Sequence, residues 1–324
     1  AMYSGPLADA IVAKAAQSVG DDVAKTPITP SLMTVTDLKN YQAKKREPVC
    51  TTYRSSYYIC TMSPPSSGGI AIAQSLGILE NFDLSQYGPT NPSNEGGGPS
   101  ATGVHLVSEA QRLAYADRDK YVADTDFIPL PGNGVSSMID KAYLKQRASL
   151  INANGNSMGT ATAGNLGNVP LGVDKTVEKG TTHFSIVDAY GNVVSMTSTV
   201  ESSMGSYHMV GGFLLTNQLT DFSVQPTDAA GVPVANRVAP GKRPRSTMAP
   251  TLVFKGTGPG DFVMATGSPG GGTIIQYVLK TVVGALDWGL DAQQATSLVN
   301  FGATNSPTTN VDGANTSLDL TGLI

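Results

Sequence analysis

Two periodicities divide this chain. Up to about residue 150, apolar residues recur at helical spacing, and beyond Gly180 they alternate as strands do. Leu7, Ile11, Ala15 and Val19 mark one helix face, with Gly20 as a fitting stop. The string SPPSSGG (Ser63–Gly69) predicts a rigid turn that feeds a mostly apolar helix, IAIAQSLGILENF. Ala101–Asp124 is periodic again, and Tyr87–Pro99, rich in Gly, Asn and Pro, predicts a loop. Residues 152–180 are rich in Gly, Asn and Thr with almost no apolar period, which predicts an exposed linker. Directly after it, THFSIVDAYGNVVSMTSTV holds two alternating runs around AYGN and predicts a hairpin. GGFLLTNQ, APTLVF and DFVMATG predict further short strands, and GSPGGG a turn that opens the apolar helix IIQYVLKTVVGAL. There is no internal repeat. Strands between helices predict a layered body of the α/β (α+β) class.

Composition narrows the classes. Of 324 residues, 40% are apolar and 14% charged, as in a folded domain with a sizeable core. The net charge of −4 carries no basic run, which argues against nucleic acid or an anionic membrane as partner. No apolar stretch reaches the ~18–20 residues of a membrane span. Ala1–Gly20 has an amphipathic pattern rather than that of a signal peptide, as a mature or truncated chain would show. Cys50 and Cys60 flank TTYRSSYYI, which has the composition of a strand pair. They are either two buried free thiols or a short disulfide across a hairpin. The second reading implies an oxidising compartment, so a periplasmic or secreted protein is expected. No metal site is expected of two cysteines without clustered His or Asp.

The chemistry gathers around Gly180-Thr181-Thr182-His183, where the linker runs into a strand. A hydroxyl nucleophile needs a base. If Thr181 became N-terminal, its own α-amine, with a pKa of ~8, would supply one. A lone Thr at a strand start is ordinarily inert, so the neighbourhood must carry the assignment. Gly270 and Gly271 lie before a helix, where backbone N–H groups can approach an oxyanion; three glycines can equally be a plain turn. No Lys follows them, so they are not a phosphate loop. His183 reads as a strand residue, His105 as part of an amphipathic helix and His208 as a loop residue.

The strings MSPPSSGG, LAYADRDKY, TTHFSIVDAYGNVVSMTST, LLTNQLTDFS, GKRPRSTMAPT and TGSPGG occur in the order found in the γ-glutamyltransferase (γ-glutamyl transpeptidase) family. Through them the chain resembles that family from about Met2 to Gly289. The resemblance implies a four-layer α/β/β/α sandwich of the N-terminal nucleophile hydrolase type. It implies self-cleavage at the Gly180–Thr181 bond, with Thr181 as nucleophile and Thr199 as the hydroxyl that orients it. Glu201, Gln218 and Asp221 match the groups that hold the substrate α-ammonium; Glu201 replaces the Asn of many members. Ser246 and Thr247 match the hydroxyls that receive the α-carboxylate, and Gly270 and Gly271 the oxyanion hole. Tyr115 and Asp117 are expected to be packing and interface residues.

Residues 1–180 then correspond to the C-terminal part of a large subunit, mostly helical and ending in a flexible linker. Residues 181–324 correspond to the small subunit, and the two form one domain incomplete at both ends. An upstream Arg that reads the carboxylate in the family has no match here, and KRPRS matches a structural turn. The Pro/Gly-rich stretch between Asp221 and Ser246 is expected to be a loose lid, mobile at Pro226–Ala239. The implied substrates are glutathione and other γ-glutamyl amides, with amino acids, peptides or water as acceptors and no cofactor. The alternatives are a glutaryl/cephalosporin acylase of the same superfamily and a non-catalytic fragment.

Overall fold

The computed structural model describes residues 2–312. Ala1 and residues 313–324, the last part of the expected small subunit, lie outside the described residues.

The first helix, α1 (Pro6–Ala15), buries Ala8 and Ile11. It stops before Val19, which is exposed and bridges back to Pro27. Asp22 accepts from the Thr26 backbone and hydroxyl, and Gly20 N donates to Thr26 O at 2.9 Å, so a tight turn replaces the last helical turn.

Strands β1 (Val49–Tyr53) and β2 (Tyr57–Thr61) pair antiparallel with Cys50 opposite Cys60, and these two form a disulfide. Helix α2 (Gly68–Leu79) follows the Pro-rich turn and is buried on every side. Such a helix can only run through a core. Helix α3 (Ala101–Tyr121) packs along it, capped by the Ser100 hydroxyl on Gly103 N. Helix α4 (Lys141–Ala148) closes another side: the Leu144 side chain fills the space beside Gly77. The loop expected at 87–99 contains a small hairpin, Thr90–Ser93 with Gly96–Gly98.

Strands β3 (Thr182–Val187) and β4 (Val193–Ser198) form the expected hairpin, its turn closed by Asp188 accepting from Tyr190 N and Asn192 N. Strands β5 (Thr251–Lys255) and β6 (Phe262–Thr266) complete a four-stranded antiparallel sheet in the order β1-β2-β5-β6. Strand period 2 explains its two faces. Val49, Tyr53, Ile59 and Val253 turn to the helices, and Cys50, Tyr58, Leu252 and Phe254 to the other side. The last major helix, α5 (Ile274–Leu286), joins α2 in the core through Ile275, Val278, Leu279 and Val282.

The α+β class therefore holds. Of the four layers, the described residues build the helical layer and the sheet beneath it. The β3–β4 hairpin lies against β6, where Ser195 donates to Thr266 O at 3.0 Å. Phe184, Ile186, Val194 and Met196 on this hairpin are exposed.

The segment 152–180 contains no helix or strand, as expected, but it is held against the body. Gly164 lies between Asp117, which accepts from its N–H, and Tyr121, which donates to its carbonyl. Glu109 accepts from Ser157 and Met158, and Arg147 donates to Thr162 O. The 226–239 stretch, expected to be a loose lid, is likewise tied down. Val234, Ala235 and Asn236 are buried, Val234 N donates to Pro226 O, and Gly172 N donates to Pro233 O. Buried side chains cannot leave cheaply, so this loop is anchored at 234–236.

The disulfide closes a loop of sequence separation 10 across one strand pair. Restricting the unfolded chain this way should stabilise the fold by ~2–3 kcal/mol. Reduction should lower Tm, and free thiols found by mass in a non-reduced sample would refute the bridge.

Candidate active site

The end of the linker and the start of β3 are gripped at successive residues. Gly180 has φ +45°, and a Cβ there would stand 1.7 Å from the Glu201 carbonyl oxygen, so only glycine fits. Glu201 itself has φ +73°, a conformation rare for a residue with a side chain. The Gly180 carbonyl accepts from the Thr199 hydroxyl at 3.0 Å and also from the Thr181 hydroxyl. Thr199 Oγ1 in turn accepts from Glu201 N at 2.7 Å, which fixes the hydroxyl's direction. Thr181, Thr199 and the Gly180–Thr181 peptide thus form one cluster.

The glycine turn lies beside it. Gly270 has φ +134° and Gly271 φ +54°, and α5 starts three residues after Gly271. A Cβ on Gly271 would meet Glu178 O at 2.3 Å and Lys179 Cα at 2.8 Å, so the linker rests on the bare face of Gly271. The peptide beyond is held at both ends. Gly272 N donates to Glu178 O at 3.0 Å, and the Thr247 hydroxyl donates to Gly271 O at 2.7 Å. Tyr115 on α3 donates to Gly272 O, so a residue expected only to pack also braces this turn. Asp117 does pack: it accepts from Gln74, Tyr143 and Gly164 N in the interior.

Three acidic residues converge here. Asp221 is buried and accepts from Gln218, and its Oδ1 has no hydrogen-bond partner among the described residues. Burial, with Glu178 and Glu201 adding negative charge nearby, pushes its pKa up to about 7. Glu201 is also buried and accepts from Asn217.

Ser246 stands at the edge of this group. Its hydroxyl accepts from Met248 N at 3.1 Å, and its carbonyl accepts from the Ser67 backbone and hydroxyl, each at 2.7 Å. The Thr247 proton is committed to the glycine turn, so of the two hydroxyls Ser246 is the one with a proton to offer. The cations of KRPRS are each engaged within the protein, while Arg245 Nη1 has no partner among the described residues. Arg245 is fully buried against Asp174 and Glu178. Arg243 donates to Gln42 O and lies over the Tyr41 ring. Lys242 donates to Ala235 O and Arg237 O, and burial lowers its pKa to about 8.

The histidines make their hydrogen bonds away from Thr181. His183 bonds Thr197 and Ser185 and fills the space beside Gly267, and burial lowers its pKa. His105 contacts Asn152 O, and His208 contacts Val19 O. Among the described residues no group of three or more His, Cys, Asp and Glu is placed to hold a metal. No described helix is long and apolar enough to cross a membrane.

Sequence reasoning missed a buried charge network under the site. Arg118 on α3 contacts both Glu178 oxygens (2.5 and 2.6 Å), Asp119 (2.8 Å) and the Ser67 hydroxyl (2.8 Å). A signal was there: within 152–180 the charged residues, Asp174, Lys175, Glu178 and Lys179, all fall at the end that precedes Thr181.

The family model described as gamma-glutamyltranspeptidase matches residues 1–318. The glutathione hydrolase proenzyme of Escherichia coli (strain K12) is 37% identical over 309 residues, 92% of this chain and 47% of that protein. The enzyme of the same name from Bacillus subtilis (strain 168) is 39% identical over 274 residues, 81% of this chain and 43% of its own. The acylase ACY 1 proenzyme of Pseudomonas sp. (strain SE83) is 32% identical over 297 residues, 91% of this chain and 46% of its own. This chain spans about half the length of the curated relatives it matches. Among solved structures, the cephalosporin acylase of Bacillus halodurans superposes with a TM-score of 0.72 at 23% identity, over 96% of this chain and 48% of that one. The fold is thus that of the N-terminal nucleophile hydrolases.

Asp221 supplies a pH test. Its folded pKa of about 7 exceeds the unfolded value of 3.8, so the fold binds its proton more tightly than the open chain does. That contribution is whole below the unfolded pKa, shrinks as pH rises from there, and is gone once pH passes the folded pKa. In uncut protein, Asp221→Asn should flatten the fall in Tm between about pH 4 and about pH 7. A parallel profile for both proteins would refute the assignment.

Proposed function

This chain belongs to the gamma-glutamyltranspeptidase family, and on that premise we propose that the protein cuts itself before Thr181 and then transfers γ-glutamyl groups. The observation that carries the reading is the Gly180 carbonyl, which accepts from both the Thr181 and Thr199 hydroxyls beside the glycine turn. In the first step Thr181 Oγ1 attacks the Gly180 carbonyl carbon. The C–N bond breaks, the hydroxyl proton passes to the departing nitrogen, and an ester joins Gly180 to Thr181. Water hydrolyses the ester to a Gly180 carboxylate and a Thr181 with both a free hydroxyl and a free α-amine. Residues up to Gly180 become part of a large subunit, and the small subunit starts at Thr181. The exposed apolar hairpin β3–β4 is then covered by the remainder of the full-length protein.

In turnover the α-amine takes the proton of Thr181 Oγ1, which attacks the γ-carbonyl of glutathione or another γ-glutamyl amide. Gly270 and Gly271 N–H groups, at the positive end of α5, stabilise the oxyanion. The amine leaves with a proton, and water or the amine of an amino acid or peptide takes the γ-glutamyl group from the ester. Asp221, Glu201 and Gln218 hold the α-ammonium; the unpartnered Asp221 Oδ1 is the acceptor it completes. Ser246 receives the α-carboxylate, with Thr247 behind it holding the glycine turn. No metal or cofactor enters the scheme. The Cys50–Cys60 disulfide supports a periplasmic or secreted protein.

The related acylase keeps one rival in view. A glutaryl group lacks the α-ammonium, so Asp221 and Glu201 favour the γ-glutamyl reading. Rates on γ-glutamyl and glutaryl anilides separate the two. Thr181→Ala should leave one uncut chain with no turnover, read by intact mass and anilide release. Spontaneous cutting of that variant at the same bond would overturn Thr181 as nucleophile. A full-length wild type that neither cuts nor turns over would favour the non-catalytic alternative.

A further inference from the structure

We infer that Glu178 is a positioning residue for self-cleavage: held by Arg118, it seats the linker on the glycine turn and so presents the Gly180 carbonyl to Thr181. The inference rests on the self-cleavage reading and adds the residue that arranges the precursor for it.

The grip on Glu178 is both side-chain and backbone. Its carboxylate contacts Arg118 Nη2 through both oxygens and Arg245 Nε at 3.4 Å. All three side chains are nearly inaccessible to solvent. Its carbonyl accepts from Gly272 N. Arg118 is itself immobilised by Asp119 and by Ser67, whose hydroxyl donates to Ser246 O. Ionic contacts without water are directional and stiff. They fix the chain two residues before the bond to be cut.

From that anchor the remaining path is short and constrained at each atom. Lys179 Cα lies over Gly271, and Gly180, in its left-handed conformation, presses on the Glu201 carbonyl. The Gly180 carbonyl then arrives at the Thr199 hydroxyl. Attack by a neighbouring hydroxyl depends steeply on such placement. Thr176, nearer the start of this stretch, is tied to Asp174 and Val224. Among the described residues, only Glu178 carries a side-chain anchor between there and the bond to be cut.

Once the Gly180–Thr181 bond is cut, Glu178 is no longer covalently joined to the nucleophile. A positioning role in the precursor therefore predicts a split between two measurements. In the full-length protein, Glu178→Gln keeps shape and removes charge. It should slow the appearance of the chain beginning at Thr181 by ~10- to 100-fold. In the cut fraction, any effect of the lost charge on the Asp221 pocket should appear in KM on a γ-glutamyl anilide, while kcat falls by much less than the cutting rate does. Glu178→Asp keeps the charge at shorter reach and should cut at an intermediate rate; it decides the matter if Glu178→Gln does not fold. Folding is checked by Tm in the Thr181→Ala background.

Cutting of Glu178→Gln at the wild-type rate would overturn the inference. So would an equal loss in cutting rate and in kcat of the cut fraction, which marks a merely structural residue. Failure of the wild type to cut at Gly180–Thr181 would instead strike the functional reading beneath it.

Discussion

The contact between Arg118 and Glu178 ties the chain just before Gly180 to the helical core. Arg118 sits on α3, which lies along the fully buried α2, so its guanidinium is fixed by the core. Glu178 belongs to a segment with no helix or strand to place it. Joining the two transfers the rigidity of the helical layer to the linker. Burying them without each other would leave an unpaired charge and commonly costs ~3–5 kcal/mol. The pair is therefore less a source of net stability than a condition on how the chain enters β3.

The same network explains the charge of the neighbouring pocket. Arg118 and Arg245 face Asp119, Asp174 and Glu178, so the local balance is already negative before Asp221 and Glu201 are added. Asp221 responds by holding its proton. The α-ammonium proposed to bind there would meet that surplus and favour the charged form of Asp221.

Much of the fold was readable from periodicity. The helix at 101–121 and the 182–198 hairpin follow repeats in the sequence, while the helix at 68–79 and the Cys-bearing strand pair follow from composition. Misreadings arose where turn residues override a repeat or where none exists. Val19 continued the stripe of α1, but Asp22 and Gly20 turn the chain after Ala15. Gly96–Gly98 forms a strand with no side chains to alternate. The site was less readable still. Thr181, Thr199 and the glycines were identified by resemblance, because a threonine at a strand start looks like any other. Arg118 and Glu178 lie 60 residues apart, and no local pattern announces a contact of that span. The 226–239 loop looked free by composition, yet its hold comes from Val234 and Asn236 meeting partners distant in sequence.

The bare face of Gly271 has one further consequence. It is occupied by Glu178 O and Lys179, so the linker rests against the turn proposed to receive the oxyanion. On the proposed self-cleavage, that segment would become a ligand on a leash. Its local concentration is set by chain length and stiffness, and dilution does not relieve it. A substrate of the proposed reaction would have to displace it at every turnover, so breaking the peptide bond and emptying the seat would be separate steps on the way to activity.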